Sequence, residues 1–232
     1  MPHASRCFAL VPCAGVGLRA GAVGPKQYAT LQGHSVVAHT LQALAAVQEL
    51  VGTLVVLSPE DQQFESFAPA FTGPRAWTAR CGGATRAASV AAGLLALRER
   101  GAADEDWVLV HDAARCLLRP EWVQRLIDAC REDAVGGLLA LPLADTLKQA
   151  GCGDRVHATL PRSDKWLAQT PQMFRLGLLQ RALAQAGDAV TDEASAIEAL
   201  GLAPRLVPGE IENLKLTWPA DFALASRLLE TR

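Results

Sequence analysis

The chain has 232 residues, half of them hydrophobic and a fifth charged. That is globular composition, with ample material for a core. Twenty-two Lys and Arg stand against 24 Asp and Glu, so the basic excess of nucleic-acid and membrane-surface proteins is missing, and no run of about 18 apolar residues suggests a transmembrane helix.

The first predicted element is a strand over Arg6 to Val11. With Arg6 ahead of it, the stretch resembles a signal peptide. However, Pro12 and Gly15 break the apolar run early, and no small-residue cleavage site follows in a polar context. A buried first strand is the better reading. Further strands are predicted at Thr53 to Leu57, Trp77 to Cys81, Trp107 to Val110 and Gly137 to Leu143. Near-continuous apolarity, without alternation, suits a parallel sheet covered on both faces. Between them, Val36 to Glu49, Ala87 to Arg100 and Glu121 to Glu132 carry apolar residues at helical spacing. Alternating strands and helices predict a doubly wound α/β sheet.

After Leu143 the rhythm fails. Residues 144–170 are polar and broken by Gly151, Gly153 and Pro161. A connection this long inside a compact domain is usually functional, so an arm, lid or binding loop is expected here. Helices resume at Leu176 to Ala186 and Asp192 to Leu200. A last strand, Arg205 to Val207, and a last helix, Pro219 to Leu229, follow. No repeat or linker divides the chain, so a single domain over residues 1–232 is expected.

Six cysteines, Cys7, Cys13, Cys81, Cys116, Cys130 and Cys152, lack C-x-x-C or zinc-finger spacing. They read as reduced thiols, which predicts a cytoplasmic protein.

The stretch from Gly15 to Ala20, GVGLRA, fits the G-x-G-x-x-G/A dinucleotide fingerprint in letters. That fingerprint must open a helix. Gly21, Gly24 and Pro25 make a helix unlikely here. The second strand, which should end in a ribose-binding acidic residue about 20 positions on, ends at Leu57-Ser58-Pro59 instead. A P-loop would need Gly-Lys-Ser/Thr, and the chain has Gly24-Pro25-Lys26-Gln27. What remains is a glycine-rich loop carrying Arg19 and Lys26. It is suited either to a triphosphate or to exposure as a solvated surface loop.

Seven short stretches occur in order along nearly the whole chain: PCAGVGLRAGAVGPKQY, GGATRAASV, HDAAR, ADTLK, QTPQMF, TDEASAIEALG and ENLKLT. Together they closely resemble the 2-C-methyl-D-erythritol 4-phosphate cytidylyltransferase family. The resemblance implies a Rossmann-like, mostly parallel sheet of nucleotide-diphospho-sugar transferase type, with a protruding dimerisation arm. It implies CMP transfer from CTP to the polyol phosphate, assisted by Mg²⁺. It also implies roles for particular residues. Arg19, Lys26 and Lys215 hold the triphosphate and stabilise the transition state. Pro12, Cys13, Ala14 and Gly15 form a turn over the nucleotide, and Gly82, Gly83 and Ser89, with Arg86 between, lie on its cytosine and ribose side. Asp112 lies beside the phosphates and helps place Mg²⁺.

On the polyol phosphate side the resemblance implies Arg115, Thr146, Arg162 and Thr191, with Thr170 a lesser candidate. Segment 144–170 becomes an arm that crosses to a second subunit, giving a homodimer with shared sites. Membrane and nucleic acid are not expected partners. The chain departs from the family at Cys13, where Ala is usual, at Cys116, where Pro is frequent, and at Trp218, where Arg is frequent; some relatives are acidic at the position of Ala84. Two alternatives stand beside this reading: a ribitol-5-phosphate cytidylyltransferase and an NAD(P)-dependent oxidoreductase. A third, non-enzymatic one is a module that binds CTP without turnover.

Overall fold

The computed structural model describes residues 5–15, 24–187 and 190–231. Its centre is a seven-stranded sheet. In chain order the sheet strands are β1 (Cys7–Pro12), β4 (Leu50–Val56), β5 (Ala76–Ala79), β6 (Trp107–Val110), β7 (Gly136–Pro142), β10 (Trp166–Arg175) and β11 (Arg205–Pro208). Two small hairpins supply the other strands, β2 (Thr30–Leu31) with β3 (His34–Ser35), and β8 (Leu147–Ala150) with β9 (Val156–Leu160). The helices are α1 (Val36–Ala45), α2 (Phe64–Phe67), α3 (Arg86–Glu99), α4 (Pro120–Cys130), α5 (Leu176–Ala186), α6 (Glu193–Ala199) and α7 (Pro219–Glu230).

The strand order is β11-β7-β10-β6-β1-β4-β5. All neighbours are parallel except β10, which runs antiparallel to both β6 and β7. Side chains alternate across the sheet. Cys7, Ala9 and Val11 of β1 pack with Leu41 and Leu44 of α1 and Trp122 and Leu126 of α4. Phe8 and Leu10 face the opposite way, toward Val90 and Leu94 of α3, Leu179 of α5 and Ile197 of α6. Both faces are therefore covered, which explains why the strands read as unbroken apolar runs. Among the described residues no helix is long and apolar enough to cross a membrane.

Several boundaries differ from the sequence prediction. The first long helix ends at Ala45, not Glu49, because Val47 turns back to bond Leu44 O at 3.1 Å and starts the approach to β4. Segment 144–170 is not irregular. It holds the β8–β9 hairpin, and from Trp166 it becomes β10, which runs through the middle of the sheet. Pro171 lies inside this strand, although proline removes a ladder hydrogen bond and is rare in central strands. The strand accommodates it with a register shift between Ala168 and Gln172.

The topology decides where a ligand can sit. The order of strand addition reverses at β1: the chain first builds outward to β4 and β5 on one side, then returns to place the parallel β6 on the other. In open α/β sheets the crevice at the carboxyl ends of such strands is the ligand site. Here those ends are Pro12–Gly15 and His111–Arg115.

Candidate active site

Asp112 lies two residues past the end of β6, after His111, and is buried. Three cations surround its carboxylate. Arg86 Nε donates to Oδ1 at 2.8 Å, Lys215 Nζ lies 2.8 Å from Oδ2, and Arg115 Nε lies 3.7 Å from Oδ2. Burial alone would favour the neutral acid, but the Arg86 and Lys215 charges outweigh it and hold the carboxyl well below the usual range. Arg86, the first residue of α3, also grips Glu193 in a two-pronged pair at 2.6 and 3.0 Å. Such forks are strong and directional. Glu193 opens α6, and burial pushes its carboxyl upward against the pull of Arg86. Arg86 thus joins three elements at one point: the β6 end, α3 and α6.

The backbone of Asp112 is held as carefully as its side chain. Its N–H donates to Thr170 Oγ1 at 3.1 Å, and Thr170 lies 3.0 Å from His111 Nδ1. The other His111 nitrogen lies 3.2 Å from Arg115 O. One tautomer satisfies every group: His111 Nε2–H donates to Arg115 O, and Nδ1 accepts from the Thr170 hydroxyl. That requires neutral imidazole, and burial lowers the His111 pKa to about 4. An unfolded histidine titrates near 6.5, so between pH 6.5 and 4 the unfolded chain binds the extra proton. Stability therefore falls as pH drops through that window, by roughly 3 kcal/mol; Glu193, shifted the other way, opposes part of it. His111→Asn is expected to flatten the fall of Tm between pH 6.5 and 4. A parallel fall in both proteins would remove His111 from this role.

The glycines and the β1 turn meet next to this cluster. A Cβ on Gly82 would lie 2.3 Å from Ala14 Cβ and 2.8 Å from Leu57 O, so only glycine lets the two loops close. Ser89 is buried; its hydroxyl accepts from Gly83 N at 3.1 Å and donates to Thr85 O at 3.0 Å. The α3 cap itself is Thr85, not Ser89. Cys13 is buried in the core beside Tyr28, and Ala84 is exposed. Gln27 ties the turn Pro12–Gly15 down, donating to Cys13 O at 3.1 Å and Gly15 O at 2.9 Å.

Lys26 opens a short 3₁₀ turn, Lys26–Tyr28, that follows the glycine-rich loop. Its Nζ donates to Leu216 O at 2.9 Å, across 190 positions of sequence. Leu216 is next to Lys215, and its own N–H bonds Ala114 O at 2.9 Å. The two lysines from opposite ends of the chain therefore converge on the Asp112–Arg115 loop. Arg19 lies outside the described residues.

Arg115 is largely spent inside the protein. Nη1 donates to Asn213 O at 2.6 Å and Nη2 to Ala168 O at 3.3 Å, tying the loop to the root of β10. Cys116 is buried with Leu117, Leu216 and Ala225 of α7, so this loop is packed without the family's proline. Trp218 is exposed just before α7, and Asp221 in the first turn accepts from the N–H groups of Thr217 and Trp218 at 2.7 Å.

Thr191 is exposed just before α6, where the cap is Asp192. Thr191 and Arg86 line one small cavity of about 70 Å³. Thr146 and Arg162 are exposed on segment 144–170, and Arg162 donates to Ala144 O within it. The single chain does not bring these two into the Asp112 cluster.

Sequence reading missed Glu193, His111, Gln27 and Asn213, and placed Arg86 only as a neighbour of the glycines. Glu193 looked like an ordinary acidic residue in a first turn. Asn213 donates to Thr170 O at 2.8 Å, a link across 43 positions that no local pattern announces.

Mg²⁺ favours oxygen ligands, usually one or two carboxylates together with substrate phosphates. Among the described residues no group of three His, Cys, Asp or Glu could hold a metal by itself. Asp112, a single ionised carboxylate amid cations that suit phosphate, fits a metal that arrives with a nucleotide.

A family model described as 2-C-methyl-D-erythritol 4-phosphate cytidylyltransferase matches residues 7–231. A bifunctional enzyme IspD/IspF from Albidiferax ferrireducens is 61% identical over 227 residues, covering 98% of this chain. This chain spans only 54% of that relative. The 2-C-methyl-D-erythritol 4-phosphate cytidylyltransferase of Burkholderia multivorans is 53% identical over 228 residues, 97% of this chain and 96% of the relative. A crystal structure of 4-diphosphocytidyl-2C-methyl-D-erythritol synthase superposes with a TM-score of 0.86 at 43% identity, covering 97% of this chain and 99% of that one.

Proposed function

The chain belongs to the 2-C-methyl-D-erythritol 4-phosphate cytidylyltransferase family, and we propose that the Asp112 cluster is where it performs that family's reaction. In this reading the polyol phosphate attacks the α-phosphorus of CTP, pyrophosphate leaves, and a CDP-linked methylerythritol forms for isoprenoid precursor synthesis. The observation that carries it is the convergence of Arg86, Arg115 and Lys215 on Asp112 at the switch point of the sheet, with Lys26 bonded to Leu216 O beside Lys215. Four cations and two carboxylates, Asp112 and Glu193, leave a positive surplus where a triphosphate must lie.

The reaction needs no protein nucleophile, because a phosphate monoester has its second pKa near 6 and is mostly dianionic at neutral pH. The demand is electrostatic: two anions must meet, and charge grows on the leaving group. Lys26 and Lys215 supply fixed charge to the triphosphate. Asp112 keeps Lys215 extended toward the cleft and is the carboxylate that would hold Mg²⁺ brought in with the nucleotide. When bound, Mg²⁺ neutralises the triphosphate and draws charge from the departing pyrophosphate. The turn Pro12–Gly15 and the pair Gly82–Gly83 present backbone to the cytidine, with Ser89 fixing Gly83.

The arm completes the site in a homodimer. Val156, Leu160, Trp166 and Leu167 are exposed along it, a hydrophobic surface that an isolated chain would leave in water. The partner subunit's arm then brings Thr146 and Arg162 to the polyol phosphate, opposite Thr191. All six cysteines are free thiols, which supports a reducing cytoplasmic setting.

Incubation with CTP, Mg²⁺ and methylerythritol phosphate is expected to release pyrophosphate in step with a CDP-linked product. Release with ribitol 5-phosphate and none with methylerythritol phosphate would replace this substrate by the other. Arg162→Ala is expected to raise KM for the polyol phosphate about tenfold or more, a charged hydrogen bond's worth, with CTP affinity nearly unchanged. Equal losses for both substrates would take Arg162 off the polyol side.

A further inference from the structure

A cavity of about 620 Å³ lies away from the Asp112 cluster, between α1, the start of β4 and segment 66–76. Among the described residues, none assigned above to substrate, nucleotide or metal lines it. Its volume is within the range of about 300–1,000 Å³ that takes drug-sized ligands. Leu41, Leu44, Phe67 and Phe71 give it an apolar floor. Among the described residues no Asp or Glu lines it, and the ionisable lining residues are His34 and Arg75. Both are exposed, so the basic groups sit where the cavity meets solvent.

Arg75 is the informative one. It donates to Leu50 O at 3.3 Å and Ala45 O at 3.4 Å, both long. Among the described residues it pairs with no carboxylate. A guanidinium has five donors, so most of its capacity faces outward. An apolar chamber with a cationic, carboxylate-free rim suits a ligand with an apolar body and one acidic end.

The cavity wall also reaches the triphosphate loop. Phe67 lines the cavity and stacks on Tyr28, with ring centroids 4.7 Å apart and planes 7° from parallel. Tyr28 ends the 3₁₀ turn that begins with Lys26. Its hydroxyl bonds Asp61, and Ser35 Oγ donates to Phe67 O at 2.6 Å. A guest that presses on Phe67 must press on the turn carrying Lys26.

We propose that this cavity binds a small amphiphilic anion, and that its occupancy is transmitted through Phe67 and Tyr28 to the Lys26 turn. The test uses the full-length, nucleotide-free protein and the probe 1-anilinonaphthalene-8-sulfonate. Saturable one-to-one binding is expected. Arg75→Met, a surface change, should weaken it about tenfold. Ala38→Phe, which fills the chamber from α1, should weaken it by at least as much while melting as a folded protein. Decanoate should displace the probe at concentrations about tenfold lower than decanol. Amide exchange in segment 26–31 should slow when the probe binds, and Phe67→Leu should remove that slowing without removing binding. Absence of saturable binding, or unchanged affinity in Arg75→Met, overturns the site. Binding with no change of exchange at 26–31 overturns the transmission. None of these readouts requires turnover, so they stand apart from the proposed reaction.

Discussion

Lys26→Ala is expected to lower turnover by about 10²- to 10³-fold with the fold intact. The turn that presents Lys26 is held by its neighbours: Gln27 bonds the turn after β1, and Tyr28 is buried against Phe67. The lysine's own bond, to Leu216 O, is made by a half-buried side chain and holds no core in place. Removing it subtracts one preorganised charge from the path of the triphosphate and little else. Turnover followed by pyrophosphate release, beside a thermal melt, separates the two effects. A melt like that of the parent with near-normal turnover would remove Lys26 from the transition state.

Asp112→Asn is expected to damage both stability and catalysis. The substitution keeps the shape and deletes the charge that balances Arg86, Lys215 and Arg115. Breaking a buried ion pair costs about 3–5 kcal/mol, which in a chain of this size lowers Tm on the order of 10 °C. Glu193 continues to hold Arg86, so the lower half of that range is expected. Turnover should fall about 10²-fold or more, and more Mg²⁺ should be needed for half-maximal activity, because an amide oxygen is a weaker ligand than a carboxylate. An unchanged Mg²⁺ requirement would confine Asp112 to positioning the cations.

The main-sheet strands and the long helices of the first 140 residues were legible because both sheet faces are covered, so apolar runs and helical periods stood out; the β2–β3 hairpin and the four-residue α2 were too short to show a period. Asp112 was legible because a charge just after an apolar strand marks its carboxyl end. β10 was hidden by its own chemistry. Gln169, Thr170, Pro171 and Gln172 interrupt the apolar pattern, yet three of them are buried polar residues that serve the site. Gln169 donates to Glu210 O at 2.8 Å, Thr170 accepts from Asp112, and Gln172 donates to Asp192 at 2.8 Å while accepting from Ala194 N. The strand that builds the site looks least like a strand. Glu193 and Asn213 escaped for a related reason: their partners are far away in sequence, and only the folded sheet brings them together. The seven motifs named these neighbourhoods but not the bonds between them. GVGLRA reads as a cofactor fingerprint only when cut short at Ala20; residues 16–23 lie outside the described ones, and the first element after them is the 3₁₀ turn Lys26–Tyr28.

The central claim is that each active site joins the Asp112 cluster of one subunit to the arm of another. Mixing two impaired variants tests it most directly. Lys26→Ala lacks a residue of the cluster, and Arg162→Ala lacks one of the arm. After subunit exchange at equal concentrations, half of the dimers are mixed, and in each of those one site has both residues intact. Pyrophosphate release at saturating CTP and limiting polyol phosphate should then rise to about a quarter of the parent activity. Activity no greater than the sum of the two variants, with exchange verified, would contradict a site shared between subunits.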